Sequence, residues 1–249
     1  MFPIKDDNPH FITPLVTYAL IAANVAIWFL VQGLGTEPRL VTSVCELGLI
    51  PGELLQRIPA GTRVVLAPHV SCVLGDQSQW HTLLTSIFLH GGWFHLIGNM
   101  WFLWIFGNNI EDSMGHLRFV AFYLLCGLAA SVLQILSQPD STVPMVGASG
   151  AIGGVMGAYV VLYPKVRVHM LVALGFYVTT VGVPAIYMLG YWFLLQVLGG
   201  AFSLGKTGGG VAFWAHVGGF AAGALLILAF RNPRLVNRHP HHGWHPRRR

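Results

Sequence analysis

The chain has 249 residues, of which 54% are hydrophobic and only 9% are charged. A soluble domain carries roughly 25% charged residues, so this composition excludes a soluble globular protein and a disordered chain. The formal net charge of +5 is concentrated in the last 19 residues, which hold six arginines. Such a tail is typical of a cytoplasmic anchor on anionic lipid, whereas nucleic-acid binding requires a basic stripe on a folded surface.

Six apolar stretches are candidate membrane spans. They cover residues 13–34, 93–108, 117–137, 149–163, 168–199 and 211–230. The first stretch has neither a basic n-region nor a small-residue cleavage site, which predicts a retained helix and not a signal peptide. Lys and Arg residues in the connections on one side place both termini in the cytoplasm. The sequence thus predicts an all-α bundle of six membrane-spanning helices over 13–230, between a cytoplasmic segment 1–12 and a basic, disordered tail 231–249.

The connection between the first two stretches, about residues 35–80, is too long for a simple linker, and we expect it to fold at the outer membrane surface. Cys45 and Cys72 lie in this connection. They form a disulfide if the outside is oxidising, and two free thiols are the alternative.

Metal binding is considered for the tail, which is rich in histidine. Its Pro- and Arg-rich composition favours disorder over a metal site for His239, His241, His242 and His245. The sequence contains no CxxC motif and no metal-type Cys/His spacing, so we expect neither a metal nor another cofactor.

Four polar side chains interrupt the apolar stretches, where polar groups are costly and usually functional. They are His95, Asn99, Ser149 and His216. Taken singly, His95 and Asn99 could join helices by hydrogen bonds, Ser149 could allow close helix packing, and His216 could be a satisfied core histidine. Their common depth distinguishes them from such isolated residues.

The fourth stretch begins at Ser149 and is only about 22 Å long at 1.5 Å per residue, which is shorter than the bilayer core. Its helix therefore begins below the outer surface, after an irregular segment over residues 141–147, which is tolerated only beside water or inside protein. His216 lies about 7 Å into the sixth stretch from the same side. His95 and Asn99 lie one turn apart near the start of the second, so all four fall in the outer third of the membrane.

Small residues predict which helices pack together. Each of two stretches has one polar residue and two glycines on a single helix face: Ser149, Gly153 and Gly157 on the fourth, and His216, Gly219 and Gly223 on the sixth. Such faces allow close backbone approach, so we expect these helices to pack together and to bring the Ser149 hydroxyl toward His216. A serine beside an imidazole base is the arrangement of nucleophilic catalysis.

A third catalytic acid is not evident, because no Asp or Glu follows Asp140 and only the outer connection could supply one. We therefore predict a Ser149–His216 dyad whose imidazole is oriented by something other than a carboxylate. The oxyanion of acyl transfer needs hydrogen-bond donors. Asn99, His95 and the backbone N–H of Ser149 are the candidates.

Three segments together resemble the signature segments of rhomboid intramembrane serine proteases. They are GASG at 147–150, AHVGG at 215–219 and HGGWFHLIGN at 90–99, and with the six-span layout the similarity covers about residues 13–230. Gly147 and Gly150 flank the serine in this motif.

The resemblance implies that Ser149 is the nucleophile, that His216 is the base and that His95 and Asn99 form the oxyanion site, with His90 structural. It also implies cleavage of substrate transmembrane segments near the outer face of the lipid bilayer, without metal or cofactor, in a multi-pass protein of the bacterial inner membrane.

Two positions depart from the family pattern. Trp80-His81 stands where many members have Trp-Arg, and Gly153 stands where some have a tyrosine that stacks on the catalytic imidazole. The fifth stretch and the glycine-rich loop 199–210 resemble the family's lateral gate and cap, with an ordinary flexible connector as the alternative.

Two other classes of function predict different sequence features from those of a protease. A transporter would show a repeat between halves and ionisable residues near the midplane, and neither is seen. A catalytically silent rhomboid-like binder of transmembrane helices would lack the serine or the histidine, and both are present.

Overall fold

The computed structural model describes residues 2–67, 70–204 and 210–243. The first third contains strand β1 (Phe2–Asp6), helices α1 (Leu15–Leu30), α2 (Arg39–Leu47) and α3 (Pro51–Leu54), strands β2 (Arg63–Ala67) and β3 (Val70–Val73), and helix α4 (Thr82–Thr85). The remainder contains helices α5 (Trp93–Met114), α6 (His116–Ser137) and α7 (Ser149–Leu162), strands β4 (Arg167–Leu174) and β5 (Tyr177–Pro184), and helices α8 (Ala185–Ser203), α9 (Phe213–Phe230) and α10 (Pro233–Val236).

Helices occupy each of the six predicted stretches at least in part. By length and composition, α6, α8 and α9 are able to cross a membrane. Helices α1 and α7 are apolar but shorter, at 16 and 14 residues. Helix α5 has 22 residues and ends in a polar turn that contains Glu111 and Asp112.

The prediction of an all-α fold with one helix over 168–199 is wrong for residues 168–184. These residues form the antiparallel hairpin β4–β5, and β1 adds to it as a third antiparallel strand in the order β1-β4-β5. In β4, Val168, Met170 and Val172 are buried while Leu171 is exposed, which is the two-residue period of a strand. Hydropathy summed over a long apolar run does not distinguish this pattern from a helix.

The predicted disorder of the tail is also wrong for the residues nearest the membrane domain. Pro233–Val236 form α10, and His239 is fully buried 3.0 Å from a carboxylate oxygen of Asp112. The backbone N–H of Gly243 donates to the carbonyl of Leu162 at the end of α7. Residues 244–249, with His245, lie outside the described residues. The buried contact between His239 and Asp112 therefore orders residues whose Pro- and Arg-rich composition alone predicts disorder.

The connection over residues 35–80 contains α2, α3 and the hairpin β2–β3, so it is a folded segment and not a simple linker. Cys45 and Cys72 form a disulfide with a Cα–Cα distance of 5.4 Å, which resolves the choice between a bond and free thiols. Leu49 and Met145 exchange backbone hydrogen bonds of 3.0 and 2.7 Å. The connection is thereby tied to the segment that leads into α7.

Helix α7 lies at the centre of the bundle, since eleven of its fourteen residues are buried. It packs directly on α9, as the small-residue faces predicted. A Cβ on Gly219 would lie 1.9 Å from the carbonyl oxygen of Gly150, and one on Gly223 would lie 1.9 Å from that of Gly154. The two backbones are therefore in contact, and no larger residue fits between them.

At the end of α5, the fully buried Glu111 carboxylate binds the start of α1. It accepts hydrogen bonds from the backbone N–H groups of Val16 and Thr17 at 2.9 and 2.8 Å, and from the Thr17 hydroxyl at 2.7 Å. Unpaired N–H groups at a helix N-terminus favour an anionic partner. This contact joins α1 to α5 at the end of the bundle opposite Ser149.

Candidate active site

Ser149 is the first residue of α7, the position predicted from the sequence. Residues 141–148 before it contain no helix. Gly147 has φ +129, a conformation that favours glycine, and its N–H donates to the carbonyl of Ser86 at 2.9 Å. The chain therefore turns sharply into α7 and leaves Ser149 half-buried at the helix start.

Ser149 and His216 are 67 residues apart in the sequence and in direct contact in the fold. The distance from Ser149 Oγ to His216 Nε2 is 2.7 Å, which is a short hydrogen-bond length. The contact follows from α7 packing on α9, because Gly153 faces the backbone of His216, whose carbonyl would lie 3.2 Å from an added Cβ.

Helix α8 provides two contacts to the imidazole that the sequence analysis did not identify. Nδ1 of His216 lies 2.8 Å from Oε1 of Gln196. The centroids of the Trp192 ring and the imidazole are 5.6 Å apart, and the two ring planes are tilted by 36°. Trp192 also comes within 3.8 Å of an added Cβ on Gly153. The absence of a tyrosine at position 153 thus leaves room for an aromatic ring from another helix.

His95 and Asn99 lie one turn apart on α5, as predicted. The N–H of Gly91 donates to His95 Nδ1 at 3.2 Å, so the ring hydrogen is on Nε2. This Nε2 and Ser149 Oγ lie 2.7 and 3.5 Å, respectively, from the position of a Cβ on Gly147. The Asn99 side chain is buried and its Nδ2 has no protein partner. His95 Nε2–H is therefore a donor close to the serine, and the Asn99 amide is a second donor without a protein partner one turn further along α5.

His90 is fully buried next to His95, with ring centroids 5.1 Å apart. The Gln32 side-chain amide makes two hydrogen bonds to the backbone of His90. Its Nε2 donates to the His90 carbonyl and its Oε1 accepts from the His90 N–H, both at 2.8 Å. These contacts hold the loop before α5.

Three glutamines that the sequence analysis overlooked contact the segments around the dyad. Gln32 binds the backbone of His90, Gln134 accepts from the N–H of Ala215 at 3.2 Å, and Gln196 contacts His216. Each lies within or at the end of an apolar helix, where a polar side chain is costly. That cost was the signal that could have identified them.

A narrow cavity lies beside the serine, lined mainly by small residues of α6, α7 and α9. The lining includes Gly127, Ala130, Gly150, Ala151 and Ala215. A Cβ added to Gly150 would lie only 2.6 Å from the methyl group of Ala130. A side chain larger than that of glycine therefore does not fit at position 150.

The loop expected over 199–210 is shorter in the structure, because α8 continues to Ser203. Gly199 and Gly200 lie in α8 against the rings of Phe213 and Trp214. Residues 205–209 of this loop lie outside the described residues. Within the described ranges, His, Cys, Asp and Glu form no group of three able to hold a metal ion.

Comparisons with known proteins agree with these observations. Residues 77–233 match the family model of the rhomboid domain. The rhomboid protease GluP of Bacillus subtilis (strain 168) is 31% identical over 215 residues, 86% of this chain and 35% of that protein. RHOMBOID-like protein 5 of Arabidopsis thaliana is 36% identical over 172 residues, 63% of this chain and 55% of that protein.

A mitochondrial relative, Rhomboid protein 1 of Saccharomyces cerevisiae, is 29% identical over 216 residues, 84% of this chain and 51% of that protein. The chain thus spans between 35% and 55% of the length of these three relatives. The family model covers more than half of the chain, and the apolar helices are those of a multi-pass integral membrane protein. The chain therefore belongs to the rhomboid family.

Proposed function

We propose that this protein is an intramembrane serine endopeptidase in which Ser149 is the nucleophile and His216 the general base. The observation that carries the proposal is the 2.7 Å contact between Ser149 Oγ and His216 Nε2 at the start of a buried, apolar helix. A serine hydroxyl is a weak nucleophile until an adjacent base takes its proton. A buried histidine with a purely structural role can be satisfied by backbone groups. The contact between the imidazole and a serine hydroxyl at this position therefore favours a role as a base.

The proposed reaction forms and then hydrolyses an acyl-enzyme. Ser149 Oγ attacks the carbonyl carbon of the scissile peptide while its proton passes to His216 Nε2. The tetrahedral intermediate collapses as the C–N bond breaks, and the same proton goes to the leaving amine. Water then attacks the ester with His216 again as base, which releases the new carboxylate and restores the serine.

The oxyanion of each tetrahedral intermediate requires donors that are in place before the reaction. We assign this role to Nε2–H of His95, to the Asn99 amide and to the backbone N–H of Ser149. An unpaired buried amide is costly in a resting protein, and a transient oxyanion gives the Asn99 Nδ2 a partner. The N-terminus of α7 adds a favourable dipole.

In the proposed topology, α1, α5, α6, α7, α8 and α9 cross the inner membrane of a bacterium and both termini are cytoplasmic. The Cys45–Cys72 disulfide favours an oxidising outer compartment for the first connection. That connection pairs with the segment before Ser149, so both are on the same side. The basic residues that precede β4 and follow α9 are then on the cytoplasmic side.

The proposed substrates are membrane proteins cleaved in or near a transmembrane segment. Ser149 begins a 14-residue helix of about 21 Å, so it lies below the outer surface of a bilayer core of about 30 Å. A peptide bond reaches that depth when it belongs to a membrane-inserted segment. No metal or other cofactor takes part in the proposed steps.

The test is labelling of the full chain in detergent with a fluorophosphonate, which reacts only with an activated serine. The wild type should be labelled, whereas Ser149→Ala and His216→Ala should not. Ser113→Ala is the matched control, because Ser113 is a buried serine at the far end of α5 whose hydroxyl donates to the Ile110 carbonyl. Labelling of Ser149→Ala would refute the assignment of Ser149 as the nucleophile. A wild type that stays unlabelled in both detergent and lipid would favour the silent helix binder.

Cleavage of a membrane-inserted model substrate then tests the reaction itself, with mass spectrometry of the products to locate the cut. Asn99→Ala should lower turnover by about 10²- to 10³-fold if its amide is an oxyanion donor. Unchanged turnover in this variant would return Asn99 to a packing role while leaving the dyad assignment in place.

A further inference from the structure

The Gln196 side chain connects α8 to the imidazole of His216. It is 8% exposed, and its Oε1 lies 2.8 Å from His216 Nδ1. Its Nε2 lies 3.1 Å from the carbonyl oxygen of Trp192, one turn earlier on the same helix. Both ends of the amide therefore have a partner.

The second contact determines the direction of the first. A carbonyl oxygen can only accept, so the NH₂ group of Gln196 faces Trp192 and Oε1 faces the imidazole. Oε1 can only accept as well, so His216 carries its hydrogen on Nδ1. The lone pair of Nε2 is then free to accept the hydrogen of Ser149 Oγ, 2.7 Å away.

We infer that Gln196 is a positioning residue that holds His216 in the one neutral tautomer able to deprotonate Ser149. The inference rests on the proposed function. Without an acceptor at Nδ1, the hydrogen can move to Nε2, where it would face the serine hydroxyl and abolish the base. The ring would also lose the Nδ1 hydrogen bond that fixes its rotation.

Gln196 occupies the place that a carboxylate takes in a Ser-His-Asp triad. An amide orients the ring and selects the tautomer but adds no negative charge to stabilise the imidazolium. This neutral arrangement suits a chain that has no Asp or Glu after Asp140. A carboxylate on α8 would be an ionised group in an apolar span, which is costly.

The test compares Gln196→Met with Gln134→Met in the full chain. Methionine keeps most of the side-chain volume and removes both hydrogen bonds. Gln134 is the matched control, because it is equally buried at 6% exposure and binds the backbone N–H of Ala215 instead of the imidazole. Fluorophosphonate labelling rates, kcat and KM for a membrane-inserted substrate, and thermal unfolding are measured for both.

Gln196→Met should lower kcat and the labelling rate by about 10²-fold, with KM changed much less and with unfolding similar to that of Gln134→Met. The conservative variant Gln196→Glu restores the Nδ1 acceptor. It should recover most of the lost rate, and the acidic limb of its pH–rate profile should lie at higher pH than in the wild type, because a carboxylate favours the imidazolium.

Wild-type labelling of Gln196→Met would overturn the inference. So would equal losses of labelling and stability in both methionine variants, since that result assigns Gln196 to packing alone. If the wild type is not labelled, or is labelled without His216, the proposed function itself fails. The two failures are therefore distinguishable, and the methionine pair decides the matter even if Gln196→Glu does not fold.

Discussion

Replacing Gly223 with alanine should separate α7 from α9 and disrupt the dyad from seven residues away. The new Cβ would lie 1.9 Å from the Gly154 carbonyl oxygen, whereas ordinary contacts begin at 3.4 Å. Neither atom belongs to a flexible side chain, so the helices themselves must move apart by about 1.5 Å. Overpacking of this kind costs about 1–3 kcal/mol in the free energy of unfolding.

The same displacement acts on the site. If it extends along α9 to His216, the 2.7 Å contact with Ser149 Oγ lengthens to about 4 Å, beyond hydrogen-bond reach. A 1 Å misplacement of a catalytic group can lower the rate by about 10²-fold. We therefore expect Gly223→Ala to lose fluorophosphonate labelling by about two orders of magnitude and to unfold at a lower temperature or denaturant concentration.

Gly190→Ala provides the matched control. Gly190 lies in the interior of α8, and nothing lies within 4 Å of its added Cβ, so alanine there should leave labelling unchanged and stabilise the helix by about 0.5–1 kcal/mol. Unfolding is followed by circular dichroism in mixed detergent, and labelling by gel fluorescence over time. Wild-type stability and labelling in Gly223→Ala would refute the claim that backbone contact between α7 and α9 positions the dyad.

Three further predictions concern the two ends of the bundle. Glu111→Ala should lower the free energy of unfolding by about 3–5 kcal/mol, because it removes a buried carboxylate from the start of α1. Glu46 is exposed, so Glu46→Ala should change this free energy by less than about 0.5 kcal/mol. Equal effects of the two variants in unfolding titrations would contradict the stabilising contact between Glu111 and α1. Burial raises the pKa of Asp6 to about 6, so the stability that the protonated Asp6 carboxyl contributes is complete below about pH 4 and is lost as the pH rises through 6. Asp6→Asn should flatten the pH–stability curve between these values. An unchanged curve would exclude Asp6 as the source of this pH dependence. In SDS without reductant, only one of the three cysteines should react with iodoacetamide, and three reactive thiols would contradict the Cys45–Cys72 pairing. This disulfide closes a loop with a sequence separation of 27. Its reduction should therefore destabilise the protein by about 3–4 kcal/mol.

The membrane class and the candidate dyad could be predicted from the sequence because both depend on quantities that are local along the chain. Hydropathy identifies the apolar stretches, and a polar residue inside one is conspicuous without any knowledge of the fold. Ser149 and His216 could be linked before the structure because glycines follow each of them at helical spacing, and small residues on a helix face predict close packing.

Other features depended on contacts between distant segments. The hairpin β4–β5 was predicted as a helix, because a long apolar run fits either structure until a partner strand such as β1 pairs with it. The tail was predicted to be disordered, because composition does not show that His239 has Asp112 as a buried partner.

The contacts of Gln196 depended most on the tertiary structure. A glutamine in an apolar span can be noticed in the sequence, but its partner depends on how α8 is rotated about its axis and at what height it meets α9. Those two quantities are set by packing over the whole bundle and not by the residues near Gln196. The sequence by itself determined which groups are candidates to react, whereas the tertiary structure decided which side chain contacts the imidazole, because hydrogen bonds between helices require atomic distances that no periodicity specifies.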